Sequence, residues 1–279
     1  MTSCARLIDA LQRNVAAHES AAVAFSGGVD STLVLKIAAD VLGDRALAVT
    51  GDSASVAPAE LAHAQELAAE LGVRLRLAAT HELDVPSYAA NPDNRCFHCK
   101  TELYGVCRKV ANDEGLAVIL DGTNGDDGGE WRPGLAAGDQ AGVRSPLREC
   151  GLTKSDVRMV ARQLGLSNWD KPALACLASR LPYGTRVTAQ RLAAVDTVEQ
   201  QLRAMGFVEV RARYHGDTVH LEVDPDRVND LQHRERDEGL VEAVRRAGFQ
   251  HIVITPDGYR RGRLNDVLTP SPAGPTEGA

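Results

Sequence analysis

Apolar positions recur along this chain with two alternating periods. Over residues 6–17 the side chains Leu7, Ile8, Leu11 and Val15 fall at helical spacing. Residues 21–25 form a short continuous apolar run that stops at a Gly pair, the pattern of a strand buried on both faces of a parallel sheet. Residues 30–42 return to helical spacing through Leu33, Val34, Ile37, Ala38 and Val41. The same reading predicts a strand at 46–50, a helix at 57–71, a strand at 73–78, a helix at 101–114, a strand at 117–120 and a helix at 154–164. Strands alternating with helices of this length predict an α/β fold with a doubly wound parallel sheet, ending near Pro182.

Beyond Thr188 the rhythm changes. A helix at 188–205 leads into strands at 208–213 and 218–223, joined through His215-Gly216-Asp217 as an antiparallel hairpin. A helix at 238–247 and a strand at 251–255 complete a small C-terminal α+β domain. The expected organisation is therefore a domain over 1–182, a smaller one over 188–268, and a Pro- and Gly-rich tail at 269–279 that is expected to be disordered. There is no internal repeat.

The length of 279 residues allows one large domain or two smaller ones, and a 44% hydrophobic fraction with 25% charged residues supplies an ordinary core. No apolar run approaches the roughly 18 residues that span a bilayer, and no charged-then-apolar leader opens the chain. The expectation is a cytoplasmic protein without a membrane partner. A net charge of −7 argues against a long nucleic-acid interface. Six cysteines, at 4, 96, 99, 107, 150 and 176, are expected as reduced thiols, metal ligands or reactive groups rather than disulfides.

The first chemical signal follows the first strand: Ser26-Gly27-Gly28-Val29-Asp30-Ser31-Thr32. Glycines let the backbone approach a ligand closely, and a helix that opens at Ser31 and Thr32 offers amides and a positive dipole end to phosphate. Ser26 and Ser31 add hydroxyls. Asp30 would repel phosphate alone, which implies a bridging Mg2+. The loop is neither a Walker A loop, because GxxxxGK[ST] lacks its Lys-Ser/Thr pair here, nor a GxGxxG turn.

Three further segments carry candidate chemistry. Residues 91–100 contain a single CxxC, Cys96 and Cys99, whose readings are metal binding, redox chemistry or chance. Residues 121–127, Asp-Gly-Thr-Asn-Gly-Asp-Asp, follow a strand at the sheet end where open α/β folds bind ligands, and Asp126 and Asp127 read either as Mg2+ ligands or as solvent-facing loop acids. Cys176 lies between Lys171 and Arg180, basic neighbours expected to favour its thiolate; the plainer reading is a small buried hydrophobe. In the smaller domain Arg211 and Arg213 alternate with Val210 and Ala212, so both guanidiniums share one strand face, suited to bidentate phosphate or carboxylate recognition. Cys4, Cys107 and Cys150 have no such context and read as structural or surface residues.

The 26–32 heptad resembles the PP-loop of the ATP-pyrophosphatase superfamily, whose members cleave ATP to AMP and pyrophosphate through an adenylylated substrate. That resemblance implies a PP-loop/HUP-like (adenine nucleotide alpha hydrolase-like) fold, with Ser26, Gly27, Gly28, Asp30 and Ser31 gripping pyrophosphate. The wider set resembles the LarE family of ATP-dependent sulfur transferases over residues 21–265: NRCxHCK, DGTNxDD, WRPG, VRSPL, KPALACLASRLPYGTRVT, VRAR, LEV and GYRRGRLN. The family makes the nickel-pincer nucleotide cofactor. What the resemblance implies is adenylylation of a carboxylate of pyridinium-3,5-dicarboxylate mononucleotide, displacement of AMP by a sulfur nucleophile, and C–S cleavage to a thiocarboxylate.

The family supplies sulfur in two ways; both remain open here, and the inventory of Cys96, Cys99 and Cys176 favours the second. In one, the cysteine matching Cys176 gives up its own sulfur and becomes dehydroalanine; in the other, Cys96, Cys99 and Cys176 hold a [4Fe-4S] cluster carrying a labile sulfide. By the same resemblance Ser179 and Arg180 belong to the catalytic pocket and Arg211 and Arg213 hold the substrate phosphate. Glu199, Glu222 and either Asp226 or Asp230 match acidic metal-binding positions, against a reading as solvated surface charge. A homo-oligomer and contacts with other cofactor-biosynthesis proteins also follow from the resemblance. The rivals are a PP-loop tRNA thiolase, disfavoured by the acidic charge, and a non-catalytic module that senses ATP or an iron–sulfur cluster.

Overall fold

The computed structural model describes residues 3–129, 133–172 and 175–268. Trp131 and Arg132 of the WRPG motif, Ala173 and Leu174, and the tail from Thr269 lie outside the described residues. The chain divides into two compact units: one holds the chain through Tyr88 together with Asn94–Ala175, the other holds Ala89–Asp93 and the chain from Cys176 onward.

The first unit begins with α1 (Ser3–Ala16), β1 (Ala21–Ala24), α2 (Val29–Leu42), β2 (Ala46–Asp52), α3 (Pro58–Glu70) and β3 (Leu75–Ala79). After α4 (Pro86–Ala89) come α5 (Arg95–Asp113), β4 (Val118–Leu120), α6 (Gly134–Gln140), α7 (Pro146–Glu149) and α8 (Lys154–Gln163). The four strands form a wholly parallel sheet in the order β3-β2-β1-β4, with Val23 opposite both Ala48 and Leu120. Both faces are covered, as a sheet built from crossover helices requires. Ala21, Val23 and Phe25 pack with residues of α1, α2, α3 and α8, while Ala22, Ala24, Leu47, Val49 and Ile119 pack with α5 and α6. The doubly wound expectation therefore holds, and the central apolar runs are continuous because neither face meets water.

In this order the chain moves from β1 outward through β2 to β3, then crosses back to place β4 on the other side of β1. The order of the chain reverses between β1 and β4, which makes their carboxyl ends the topological switch point, where open α/β sheets bind ligands. The 26–31 loop and the 121–127 segment leave from these two strand ends.

The second unit contains α9 (Ala189–Ala204), β5 (Val210–His215), β6 (Thr218–Val223), α10 (Val228–His233), α11 (Glu238–Arg246) and β7 (His251–Ile254). The β5–β6 hairpin is antiparallel and β7 adds to β6 in parallel. Leu192, Val195, Val198 and Leu202 of α9 are buried, as are Val219, Leu221 and Val223 of β6 and Leu240, Ala243 and Val244 of α11. The division between units falls at Cys176 rather than at Pro182. Its cause is long-range: Val187 N donates to Ala89 O (2.8 Å), Gly184 N to Asn91 O (2.9 Å) and Asn91 Nδ2 to Pro182 O (2.7 Å), which draws residues 89–93 into this unit. No described helix is long and apolar enough to cross a membrane.

Candidate active site

The phosphate loop is shaped by its own hydroxyls. Gly28 is the N-cap of α2 with an extended backbone, so the first-turn amides have no partner within the helix. Ser26 N donates to Ser31 Oγ (3.2 Å), and Ser31 Oγ donates to Gly28 O (3.1 Å). Thr32 donates to that same carbonyl through both N (2.9 Å) and Oγ1 (2.9 Å). These bonds close the turn on itself and leave amides at the helix mouth, the arrangement that binds anions. Gly27 has φ +69°, and a Cβ there would lie 3.2 Å from Ala64 Cα on α3, so glycine serves both conformation and close packing.

The 121–127 segment forms the opposite wall. A Cβ on Gly122 would sit 2.6 Å from Ser31 N, so only glycine lets β4 pass this close to the first turn of α2. Asn124 Nδ2 reaches Asp30 Oδ1 (3.4 Å), and Lys154 Nζ forms an ion pair with Asp30 Oδ2. Asp121 is buried and accepts hydroxyl bonds from Tyr104 (2.7 Å), Thr123 (2.8 Å) and Ser145 (2.7 Å), which anchors the segment. Asp126 caps α8 by accepting from Lys154 N (2.7 Å), and Asp127 accepts from Asn124 N (3.0 Å). Asp126 and Asp127 thus help to shape this wall. Asp30 remains the carboxylate aimed at the loop mouth, and a hard cation suits that oxygen donor beside open amides.

Cys96 and Cys99 lie in the first turns of α5, three residues apart and hence on one face. Cys96 is exposed and Cys99 half-buried. Next to them, burial works against the charge of Lys100, yet Tyr104 and Asp121 hold its pKa above the ordinary lysine range. Cys107, two turns on, is fully buried and its thiol is pushed up to about 11 by burial, consistent with a core residue.

In the second unit Cys176 precedes the 3-10 turn Leu177–Arg180, with Ser179 N donating to Cys176 O (3.0 Å). The Arg180 guanidinium is buried; it donates to Glu199 Oε1 (2.7 Å) and Oε2 (3.0 Å), to Cys176 O (3.1 Å) and to Ser179 Oγ (3.0 Å). Lys171, in the first unit, is ion-paired with Glu60 at 2.8 Å. These contacts direct both basic neighbours to oxygen partners, where the sequence suggests a thiolate stabilised by them.

Glu199 also accepts from Arg203 (2.8 Å) and from Ala212 N (3.1 Å). Burial raises its pKa, but the Arg180 hydrogen bonds and the nearby arginine charges outweigh that and hold it below the usual carboxylate value. Glu222 is bidentate to Arg213 (2.8 and 2.9 Å), and Arg263 Nε lies 3.1 Å from the same carboxylate at an angle that makes an ion pair without a hydrogen bond. Both carboxylates, which the resemblance assigns to metal-binding positions, are arginine partners here. Asp230 likewise pairs with Arg227 (2.6 Å) on the surface. Among the described residues no three His, Cys, Asp or Glu side chains stand together as a metal-binding group.

Arg213 Nη1 also donates to Ser179 O (3.1 Å). Arg211 differs from it. Its guanidinium is buried and stacks 4.6 Å from the Tyr259 ring, with Nη1 on Val210 O (2.7 Å). Burial first, then the charge of Arg180, pushes its pKa below the ordinary arginine value. A buried cation short of counter-charge is a receptor for an anion.

Comparison with known proteins extends these observations. The asparagine synthase family matches residues 4–129, the part that carries the phosphate loop and its wall. An uncharacterized protein of Synechocystis sp. is 41% identical over 90% of this chain and 94% of its own length. The pyridinium-3,5-bisthiocarboxylic acid mononucleotide synthase of Lactiplantibacillus plantarum is 39% identical over 88% of this chain and 89% of that protein. The chain belongs to the LarE family. An uncharacterized protein of Methanocaldococcus jannaschii is 23% identical over 85% of this chain and 90% of its own length.

As a LarE-family enzyme the chain uses ATP. Within the first unit the structure gathers Ser26, Gly27, Gly28, Asp30 and Ser31; within the second it gathers Ser179, Arg180, Arg211 and Arg213 around the segment that opens at Cys176. Three residues that contact the phosphate loop are not marked as such by the sequence. Lys154 lies 124 positions from the Asp30 it pairs with, and Asn168 lies 141 positions from the Gly27 carbonyl it binds, distances over which no local spacing carries a signal. Gly122 stands inside a motif visible in the sequence, but only the packing shows what its missing Cβ is for.

Proposed function

We propose that this chain adenylylates a carboxylate of pyridinium-3,5-dicarboxylate mononucleotide with release of pyrophosphate, then replaces AMP by sulfur to give a thiocarboxylate. The observation that carries this reading is the 26–31 loop at the switch point, where the first-turn amides of α2 and the Ser26 and Ser31 hydroxyls stand beside the Asp30 carboxylate, itself held by Asn124 and Lys154. The 39% identity to the pyridinium-3,5-bisthiocarboxylic acid mononucleotide synthase supports the choice of substrate.

Carboxylate oxygen is a poor leaving group, and adenylylation makes it a good one. A substrate carboxylate oxygen attacks the α-phosphorus, the bond to the β-phosphate oxygen breaks, and pyrophosphate departs onto the loop. Amides of the first turn of α2, with the Ser26 and Ser31 hydroxyls, meet the negative charge that develops there. Lys154 brings a cation to the same place. Asp30 would hold Mg2+, which when bound supplies positive charge to the departing pyrophosphate. In the second unit Arg211 and Arg213 hold the substrate phosphate, with the burial of the Arg211 guanidinium near Arg180 as the support.

Cys176 takes the sulfur step in this reading. Its thiolate adds to the acyl carbon, the C–O bond to AMP breaks, and loss of the Cys176 α-proton with cleavage of Cβ–Sγ leaves a thiocarboxylate and dehydroalanine. The alternative donor is a [4Fe-4S] cluster, which Cys96, Cys99 and Cys176 would hold and which would supply a labile sulfide. A homo-oligomer is the assembly proposed with this function, and light scattering of the purified chain checks it.

The test is incubation of the chain with ATP and the mononucleotide, reading pyrophosphate, the thiocarboxylate product and the mass of the protein. Pyrophosphate with a loss of one sulfur at Cys176 is expected. Absence of pyrophosphate in the presence of substrate sinks the reading. Labelled sulfur appearing in added tRNA instead makes the chain a thiolase, and an intact Cys176 with about four irons per chain moves the donor to a cluster.

A further inference from the structure

Asn168 is buried, lies in the segment after α8, and reaches across the first unit to the phosphate loop. Its Nδ2 donates to Gly27 O (3.1 Å) and to Thr32 Oγ1 (2.9 Å). The amide orientation follows from the partners. A carbonyl accepts only, and the Thr32 hydroxyl hydrogen is already used on Gly28 O (2.9 Å), so both groups require a donor from Asn168. Asn168 Oδ1 is left buried and no described group donates to it. A residue selected for packing alone would not carry an unmet acceptor.

The bond to Gly27 O has a geometric consequence. In a planar trans peptide the carbonyl and the next residue's N–H point to opposite sides. Holding Gly27 O against Asn168 therefore turns the Gly28 N–H away from the interior, toward the loop mouth. Gly27, at φ +69° and without a Cβ, has no stiffness of its own to set that peptide plane. The segment that carries Asn168 is itself anchored: Lys171 N donates to Asn168 O (3.1 Å), Arg158 Nη2 to Lys171 O (3.0 Å), and Arg162 lies 4.9 Å over the Trp169 ring.

We propose that Asn168 is a positioning residue of the phosphate loop, holding the Gly27–Gly28 peptide so that the Gly28 amide meets the phosphates of ATP and of departing pyrophosphate. This rests on the reading of the loop given above. Asn168→Ala frees the peptide without touching the ligand.

The experiment measures pyrophosphate release in a single turnover, taking kcat as its limiting rate and KM as the half-saturating concentration of ATP or of the mononucleotide, and binding of inorganic pyrophosphate by titration calorimetry. For Asn168→Ala the ATP KM and the pyrophosphate Kd both rise about tenfold, while the mononucleotide KM stays within about twofold. Thr32→Val removes the other acceptor and raises the ATP KM about threefold, and the double variant is no worse than Asn168→Ala alone. A merely structural role would lower the active fraction, and so kcat, with the ATP KM unchanged; that result overturns the proposal. If Asn168→Ala does not fold, an unchanged ATP KM in Thr32→Val overturns it equally. Should the wild type make no pyrophosphate from ATP, the adenylylation reading fails, and weaker pyrophosphate binding by Asn168→Ala still upholds the role of Asn168.

Discussion

The phosphate loop of the first unit and the arginine cluster of the second are both arranged to meet negative charge, by different means. The loop relies on backbone: amides at the mouth of α2, closed into shape by Ser31 and Thr32, which lie within six residues of Ser26. The cluster relies on buried side chains from separated elements, Arg180, Arg211 and Arg213 with Glu199 and Glu222 as their partners. Amides and helix dipoles are neutral groups and need no counter-ion in the empty state. Guanidiniums in the interior do need one, so the cluster is tied to the stability of its unit in a way the loop is not.

The contrast is most severely tested at Glu199. Glu199→Ala removes the partner of a buried guanidinium and is expected to cost about 3–5 kcal/mol of folding stability, read as a lower denaturation midpoint. An unchanged midpoint would mean that the cluster is not the structural centre of its unit. Asp30→Ala is the counterpart in the loop: it should reduce pyrophosphate formation about 100-fold with little change in Tm, because the charge it removes is partly exposed. A large fall in Tm would erase the distinction between the two regions.

Smaller effects refine the comparison. Arg211→Ala should raise the mononucleotide KM about tenfold, since it removes a charged hydrogen-bond donor, and leave the ATP KM alone. A change in the ATP KM instead would move Arg211 to the nucleotide. The smallest effect concerns Glu149 at the end of α7, a partly exposed surface pair away from both sites. Its carboxyl is pulled down to about 2, first by hydrogen bonds from Arg144, then by Asn14 and the Ser145 amide, against burial. A depressed folded-state pKa contributes stability above the unfolded value near 4.5 and loses it as pH falls toward about 2. Glu149→Gln should therefore lower Tm slightly at pH 7, and the difference should vanish at the acid end of that window.

Much of the first unit was legible from the chain, for a physical reason. Strands buried on both faces read as continuous apolar runs, helices between them read at a 3.6-residue period, and Ser26-Gly27-Gly28-Val29-Asp30-Ser31 encodes its shape in adjacent residues. The hairpin of the second unit was also visible in its turn and its alternation. Less visible were the short helices α6, α7 and α10, too brief to show a period. The boundary between units was misread by a few residues because residues 89–93 join the second unit through hydrogen bonds to 182–187.

The sequence by itself determined that there is a phosphate loop, where it lies, and which thiols and arginines accompany it, because those signals are residue types at short spacing. Only the tertiary structure decided what the charged side chains do. Glu199 and Glu222 have the composition of metal ligands and the surroundings of arginine partners. Asp126 has the position of a ligand and the contact of a helix cap. Lys154 and Asn168 carry no motif and nevertheless hold Asp30 and Gly27. The role of an ionised or amide group is set by whichever donors and acceptors the fold brings within about 3 Å, and those partners lie a hundred or more residues away along the chain.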